Sequence, residues 1–457
     1  MRTIKALRAA TLFCILLMAT AGGAFAQAKA ANATYSYYAS GAFPHLTDPS
    51  PVFKTTTYDQ LINLFESDGT YLILFGGEWC VNTQAVIGQI NDVAKEYGVK
   101  TIYNFDTKLD SATLQIRDSK SPFANYYVDM VNKYLPNIVT IYDKATTNIS
   151  YTDKDGKVLV ANKLQVPFLF LYNRNNKDAQ GNPAPIIASY EKMFVWETDF
   201  QTNGKDDKVK IEAYKKEIRP LFDAISTKVG GKMVAKLDYQ SDNAYYTKQF
   251  NKKGAPNIVL DASDAKDWRI VSTTYPEMVR ILGQSGNFVL LYGGTWCPNT
   301  RASIKLINQY AVKYGISAVY NFDWRLDSGG QTLHLRNSAN PFANLYVDVI
   351  NKYFPGIDVL YGSDRKMDIS YTNKDGAVVP AVRMQVPYVM IYNKDRKDAA
   401  GKSAPIFAGP IEYMYQWADL VPGQSEQPAF KDGNGLLGDP YKNYTTALDK
   451  LFSQIRK

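Results

Sequence analysis

A chain of 457 residues that is 46% hydrophobic, 21% charged and 13% aromatic has a globular balance, which excludes a largely disordered or collagen-like protein. The net charge of +8 comes from 52 Lys and Arg against 44 Asp and Glu; Arg2, Lys5 and Arg8 supply three of the positive charges, and the remainder is too dilute, and too poor in basic–aromatic blocks, to support nucleic-acid binding. With only two histidines, His45 and His334, the chain has no room for a His-based metal cage or for a pair of Ser-His-Asp sites.

Residues 1–26 read as a secretory signal peptide. The basic residues come first, residues 9–21 are almost wholly apolar, and Ala24-Phe25-Ala26 offers a small-x-small cleavage pattern. An uncleaved anchor is the other reading, but the apolar run is shorter than the ~20 residues a span needs. Cys14 lies inside this segment and is expected to leave with it. No later apolar run is long enough to cross a bilayer. The expected product is extracytoplasmic, periplasmic or secreted, and free of the membrane once the signal is removed. Disulfides can form in such a compartment.

Beyond the signal the predicted elements alternate. Residues 52–55 suggest a short strand and residues 58–66 a helix, with Leu61, Ile62, Leu64 and Phe65 at helical spacing. Tyr71–Phe75 is a continuous apolar run, as a strand covered on both faces should be. A helix pattern over 83–97 stops at Gly98, and residues 100–105 form another strand. Residues 123–134 are amphipathic and lie in an insert. Residues 148–160 fold back at Asp155-Gly156, a hairpin signal. Apolar strands at Phe168–Tyr172 and 186–190 follow, then a helix pattern over 208–225.

The same order then repeats. Residues 71–110 and 288–327 align without a gap, and about half of the forty positions are identical, far above chance for such a length. The match continues at Ser121-Pro122-Phe123-Ala124-Asn125 with Asn340-Pro341-Phe342-Ala343-Asn344, and at Gln165-Val166-Pro167 with Gln385-Val386-Pro387. The chain therefore reads as one α/β unit present twice, each a mixed central sheet with helices on both faces and a helical insert. The expected organisation is a first domain at 32–228, a linker at 229–257 marked by Gly230-Gly231 and a polar run, and a second domain at 258–457 that closes on a helix over 441–455.

Both cysteines of the mature chain, Cys80 and Cys297, fall in the same column of the repeat. Each ends a strand-to-helix step: Gly76-Gly77-Glu78-Trp79-Cys80-Val81-Asn82-Thr83 and Gly293-Gly294-Thr295-Trp296-Cys297-Pro298-Asn299-Thr300. Two glycines permit a tight turn, and Pro298 directly after Cys297 suits the first helical position. Each cysteine is thus expected at a helix N-terminus, where unpaired N–H groups and the helix dipole favour a thiolate.

Strand, Trp-Cys-x-x, helix, strand, and a later Val-Pro before an apolar strand together resemble the thioredoxin superfamily. The resemblance covers most of each copy and departs from the family in the inserts, between about 110 and 149 and between 327 and 369. It implies a thioredoxin-like fold twice over, with Cys80 and Cys297 as nucleophiles and Trp79 and Trp296 walling the sites. It also implies cis prolines at Pro167 and Pro387, after Val166 and Val386, facing the cysteines and binding substrate backbone. The dithiol members of the family have Cys-x-x-Cys, whereas Thr83 and Thr300 stand here in place of the second cysteine. A lone thiol can attack a disulfide, but its own motif cannot resolve the product. That suits isomerisation or client capture better than net oxidation. Thr83 and Thr300 either donate to the thiolate or are simply helix residues. A peroxiredoxin assignment fails, because Gly77 and Gly294 occupy the place of that family's threonine. A direct Cys80–Cys297 disulfide would need Cα atoms within ~7 Å.

Two functions follow from this reading. One is monothiol exchange with protein or small-molecule thiols and disulfides as partners, needing no cofactor and no metal. The other is a redox-inactive platform that binds a peptide or protein. Further repeated features carry structural readings: Asp153-Lys154-Asp155-Gly156 and its counterpart as hairpin turns, Arg117 and Arg336 as salt-bridge partners, and Asp106 and Asp323 as strand-end turns near the site. His334 aligns with Gln115 and is discounted as catalytic. The tyrosine pairs Tyr37-Tyr38, Tyr126-Tyr127 and Tyr245-Tyr246 are expected mainly to pack.

Overall fold

The computed structural model describes residues 32–141, 148–251, 259–330, 332–360, 362, 365–412 and 439–456. The expected signal segment, with Cys14, lies outside the described residues, as does the end of the expected linker at 252–257.

The first copy runs β1 (Phe53–Thr55), α1 (Tyr58–Phe65), β2 (Tyr71–Phe75), α2 (Val81–Glu96), β3 (Ile102–Phe105), α3 (Ala124–Tyr134), β4 (Ile149–Thr152), β5 (Val158–Ala161), β6 (Phe168–Tyr172) and β7 (Ile186–Glu191). A small hairpin, β8 (Gln201–Thr202) and β9 (Lys205–Asp206), precedes α4 (Lys208–Asp223), and a second hairpin follows as β10 (Ser226–Val229) and β11 (Lys232–Ala235). Next come α5 (Asp242–Phe250), β12 (Ile270–Ser272), α6 (Tyr275–Leu282), β13 (Phe288–Tyr292), α7 (Pro298–Lys313), β14 (Val319–Phe322) and α8 (Ala343–Tyr353). β15 (Ile369–Thr372), β16 (Val378–Ala381), β17 (Tyr388–Tyr392), β18 (Ile411–Glu412) and α9 (Asp439–Ser453) complete the described chain.

Each copy builds one five-stranded mixed sheet flanked by helices, in the orders β1-β3-β2-β6-β7 and β12-β14-β13-β17-β18. The fold is thus the duplicated mixed α/β architecture expected from the sequence. β1 and β2 lie parallel to β3, while β6 runs antiparallel to β2. Every residue of β2, β6, β13 and β17 is buried, because layers cover both sheet faces. The register pairs Phe75 with Phe168 and Tyr292 with Tyr388, so the loop after the first strand of each pair meets the Val-Pro before the second. Thr57 starts α1 with a capping box to Gln60, and Thr274 starts α6 in the same way with Glu277.

The hydrophobic core has three parts. Two are private, one beneath α2 and α4 and one beneath α7 and α9. The third is a single cluster that takes side chains from both copies. The inserts contribute to it: Phe123 and Phe342, just before α3 and α8, place their rings 5.6 Å apart across the two copies, and the Tyr126 hydroxyl reaches Asp327.

The segment expected as a linker is folded over its described part. The β10–β11 hairpin packs on the first copy, with Met233 and Ala235 against its core and the Ala235 N–H bonded to Tyr97 O at 2.9 Å. α5 belongs to the second copy, where Tyr246 donates to Asn321 just as Tyr38 donates to Asn104 in the first. The repeat therefore begins earlier in each copy than the cysteine motif alone reveals.

The leads into these tyrosines cross over. Before Tyr38 enters the first copy, Ala33 N–H bonds Asn287 O at 2.9 Å and Tyr35 N–H bonds the Tyr320 hydroxyl at 2.6 Å, both in the second copy. Before Tyr246 enters the second copy, Asp238 N–H bonds Thr70 O at 2.8 Å and Gln240 N–H bonds the Tyr103 hydroxyl at 2.6 Å, both in the first. The arms are equivalent and exchanged. Gly69 and Gly286 make room for them, since a Cβ there would lie 2.9 Å from Asp238 and 2.8 Å from Ala33.

Candidate functional sites at the two helix-end cysteines

Cys80 caps α2 and Cys297 caps α7. Both are free thiols and both are buried. The Val166–Pro167 and Val386–Pro387 peptide bonds are cis. Each thiol donates a hydrogen bond to the carbonyl just before its proline, Cys80 Sγ to Val166 O and Cys297 Sγ to Val386 O, at 3.4 Å in both copies. The structure thus brings Cys80 to Val166-Pro167 and Cys297 to Val386-Pro387, although these residues are far apart in sequence.

The glycine pair of each turn serves packing. A Cβ at Gly76 would lie 2.7 Å from Thr83 Oγ1, and one at Gly293 would lie 2.8 Å from Thr300 Oγ1. The threonines therefore sit buried under the turn, and neither hydroxyl has a hydrogen-bond partner of acceptable geometry. A Cβ at Gly77 would lie 2.2 Å from Asp106 Oδ2 and 2.5 Å from Trp79 Nε1, and Gly294 is equally enclosed by Asp323 and Trp296. Only glycine fits there.

The tryptophans are tied to the aspartates that end β3 and β14. Trp79 Nε1 donates to Asp106 at 2.8 Å, and Trp296 Nε1 donates to both oxygens of Asp323 at 2.9 and 3.0 Å. The backbone N–H of Lys108 and the hydroxyl of Ser111 add to Asp106, and Arg325 and Ser328 do the same for Asp323. These donors favour the carboxylate, but burial outweighs them and pushes both aspartates up to about 6. Each aspartate keeps some exposed surface, but its carboxylate is enclosed by these donors. Both also line one cavity of about 60 Å³ between the copies, together with Tyr37 and Tyr245.

Arg117 and Arg336 are not the salt-bridge partners that the sequence suggests. Both are buried, and each sends Nη1 to a backbone carbonyl, Leu164 O or Met384 O, while its Nε finds no partner. Neither forms an ion pair among the described residues. Burial lowers the pKa of both, that of Arg336 to about 10.

The thiolate expected from helix position alone meets opposition at Cys297. Burial pushes that thiol up, and only in part do the backbone and hydroxyl of Thr300, the Asn299 N–H and the Arg336 charge pull it back. The Thr300 hydroxyl acts from outside hydrogen-bond geometry. The bond to Val386 O adds to the effect of burial, because only the protonated sulfur can donate it.

Sequence reasoning missed Asn104 and Asn321, whose amides bridge two backbone carbonyls at the end of β2 and β13 and fix the cysteine turn. They stand inside the repeated Tyr-Asn-Phe-Asp, so the signal was present. Asp153 and Asn373 form the expected hairpin turns, each accepting from backbone N–H groups two and four residues on. Among the described residues no helix is long and apolar enough to cross a membrane.

No family model matches the chain, and no curated protein matches it. Among solved structures it is similar to ERdj5 in crystal form I, at 9% identity over 80% of this chain with a TM-score of 0.18, and in form II, at 10% over 81% with 0.17. The chain spans 28% of the length of those proteins. Superposition at that level is too poor to support an argument about function.

Proposed function

We propose that the protein is an extracytoplasmic thioredoxin-like protein that exchanges thiols and disulfides through one cysteine per copy, in the manner of a monothiol isomerase or a client trap. The observation that carries this reading is the contact, made twice, between a helix-end sulfur and the carbonyl preceding a proline. An extended substrate lying along Val166-Pro167 or Val386-Pro387 would present its disulfide to that sulfur and displace the thiol from the carbonyl. Cys80 and Cys297 act as nucleophiles, Trp79 and Trp296 bound the sites, and Thr83 and Thr300 close the floor. With no second cysteine in the motif, the client's own thiol resolves the mixed disulfide.

The burial of both sulfurs favours a second reading, a redox-inactive fold that binds a peptide or protein. Alkylation of Cys80 and Cys297 by iodoacetamide against pH, followed by mass spectrometry, separates the two. Exchange requires at least one cysteine to reach half its maximal rate below about pH 7.5, well under the free-thiol value of ~8.5. If both react only as ordinary thiols or stay inert, the binding reading replaces it.

A further inference from the structure

The two sites share a plan and a formal charge, but not the kind of cation that carries it. Around Cys80 the variable positions hold Lys108, Gln115 and Lys163; around Cys297 they hold Arg325, His334 and Arg383. With Arg336, the second site gathers three guanidiniums and an imidazole, where the first has two ammonium groups and the single guanidinium of Arg117; a guanidinium offers a planar fork that suits a carboxylate, which an ammonium does not. Arg325 stacks on Trp296 with its Cζ 3.5 Å from the ring centroid and forms a β-bridge with His334, whose ring lies 6.3 Å from the Trp296 ring.

These groups are under-satisfied. Buried Nε atoms of Arg325, Arg336 and Arg383, Nε2 of His334 and Nε2 of Gln385 have no hydrogen-bond partner, whereas in the first copy only Arg117 among the equivalent residues is left so. Arg336 is 3% exposed and His334 5%. An orphaned buried donor costs about 1–3 kcal/mol, so several in one place call for a missing acceptor. The acids at hand do not supply it. Asp323 is held by Trp296 and Ser328, Glu412 accepts the backbone N–H groups of Gln385 and Leu360, and Asp327, which accepts from Tyr126 on one oxygen and has no partner on Oδ1, pairs with none of the arginines. Among the described residues none of the three arginines forms an ion pair. Burial and the neighbouring guanidiniums hold His334 neutral, down to about 3, as expected where the local field is strongly positive. The N-terminus of the sixteen-residue α7 points the same sign of field at the same place.

We propose that the second copy carries an oxyanion-binding site beside Cys297, formed by Arg325, His334, Arg336 and Arg383, which selects a carboxylate-bearing thiol or disulfide as exchange partner. The oxyanion site rests on the geometry above; only the identity of its cargo rests on the exchange reading. In the exchange step the Cys297 thiolate attacks one sulfur of the bound disulfide. The new S–S bond forms as the partner's breaks, and the second sulfur leaves as a thiolate with the electron pair. The proton lost from Cys297 passes to that thiolate or to solvent. The number of disulfides is unchanged, so no outside oxidant enters.

The test uses the full chain. Iodoacetate and iodoacetamide differ by a carboxylate, and their relative rates at each cysteine are read by peptide mass spectrometry at low salt. The iodoacetate-to-iodoacetamide ratio should be at least tenfold higher at Cys297 than at Cys80, and should fall to the Cys80 value in Arg383→Gln. Inorganic sulfate, titrated by calorimetry, should bind saturably and lose at least tenfold in affinity in the same variant, with Arg325→Gln as the second variant if that one fails to fold. The disulfide of mercaptoacetate and an acid-flanked peptide disulfide, each against a neutral analogue, distinguish a small-molecule carrier from a polypeptide; preference for either supports the site. Equal ratios at both cysteines with no saturable sulfate binding overturn it and leave exchange standing. Inert cysteines with Arg383-dependent sulfate binding keep the oxyanion site and remove exchange instead.

Discussion

Asp106 and Asp323 show how one residue couples the site to stability. A carboxyl raised to about 6 in the fold, against about 4 in the unfolded chain, holds its proton more tightly when folded. Its contribution is present in full below about pH 4 and is lost as the pH rises through about 6, a change of at most about 3 kcal/mol per site. Asp106→Asn and Asp323→Asn should therefore gain on the parent as the pH goes from 4 to 7 when unfolding by urea is compared. A gap that stays constant across that range would refute the assignment. In the sequence these aspartates are repeated strand-end residues and no more. Their bonds to Trp79 and Trp296 span 27 positions and become visible only once β3 and β14 are laid beside β2 and β13. The cysteines, by contrast, were legible from Trp-Cys in both copies and from Pro298 in the second. Local chemistry fixes a helix start, while burial at the same position is a tertiary fact and works against the thiolate.

At the scale of elements, apolar periodicity placed the central strands with little error: Tyr71–Phe75 and Phe168–Tyr172 are strands over those same residues. The α1 and α4 boundaries moved by only one or two residues, as helix ends commonly do. The strand-to-helix turn is where the tolerance of an element runs out. Gly77→Ala would place a Cβ on Asp106 and Trp79. Overpacking of this kind costs about 1–3 kcal/mol. The midpoint of urea unfolding should fall accordingly, and the alkylation rate of Cys80 should change with it. An unchanged midpoint would show that the turn relaxes freely. The folded linker escaped sequence reasoning for a definable reason. Its polar, Gly-containing run reads as a loop, and the equivalence of Tyr245-Tyr246 with Tyr37-Tyr38 lies outside the register set by the cysteines. What identifies it is a pair of long-range bonds, from Tyr38 to Asn104 and from Tyr246 to Asn321.

At the scale of the whole molecule, the shared core and the exchanged arms make the two copies one cooperative body. Intrinsic tryptophan fluorescence and hydrogen exchange should report a single urea transition for both copies, and deletion of residues 32–36 should shift it for both together. Two separated transitions would count against the shared core as a source of stability. The duplication itself was plain in the sequence, since identity between distant segments needs no geometry to detect. The way the copies embrace was not, because no local pattern encodes which sheet edge an extended lead will cover. The crossing of the arms also says something about what a lone half would do. One copy with its lead would have an arm with nowhere to rest and a seat with nothing in it, and these are complementary. Two such halves would close symmetrically, each filling the other's seat. The present chain is thus the covalently joined form of a twofold, arm-exchanged pair. The join lets the two halves diverge, and the three guanidiniums around Cys297, against one around Cys80, are a difference that identical halves could not hold.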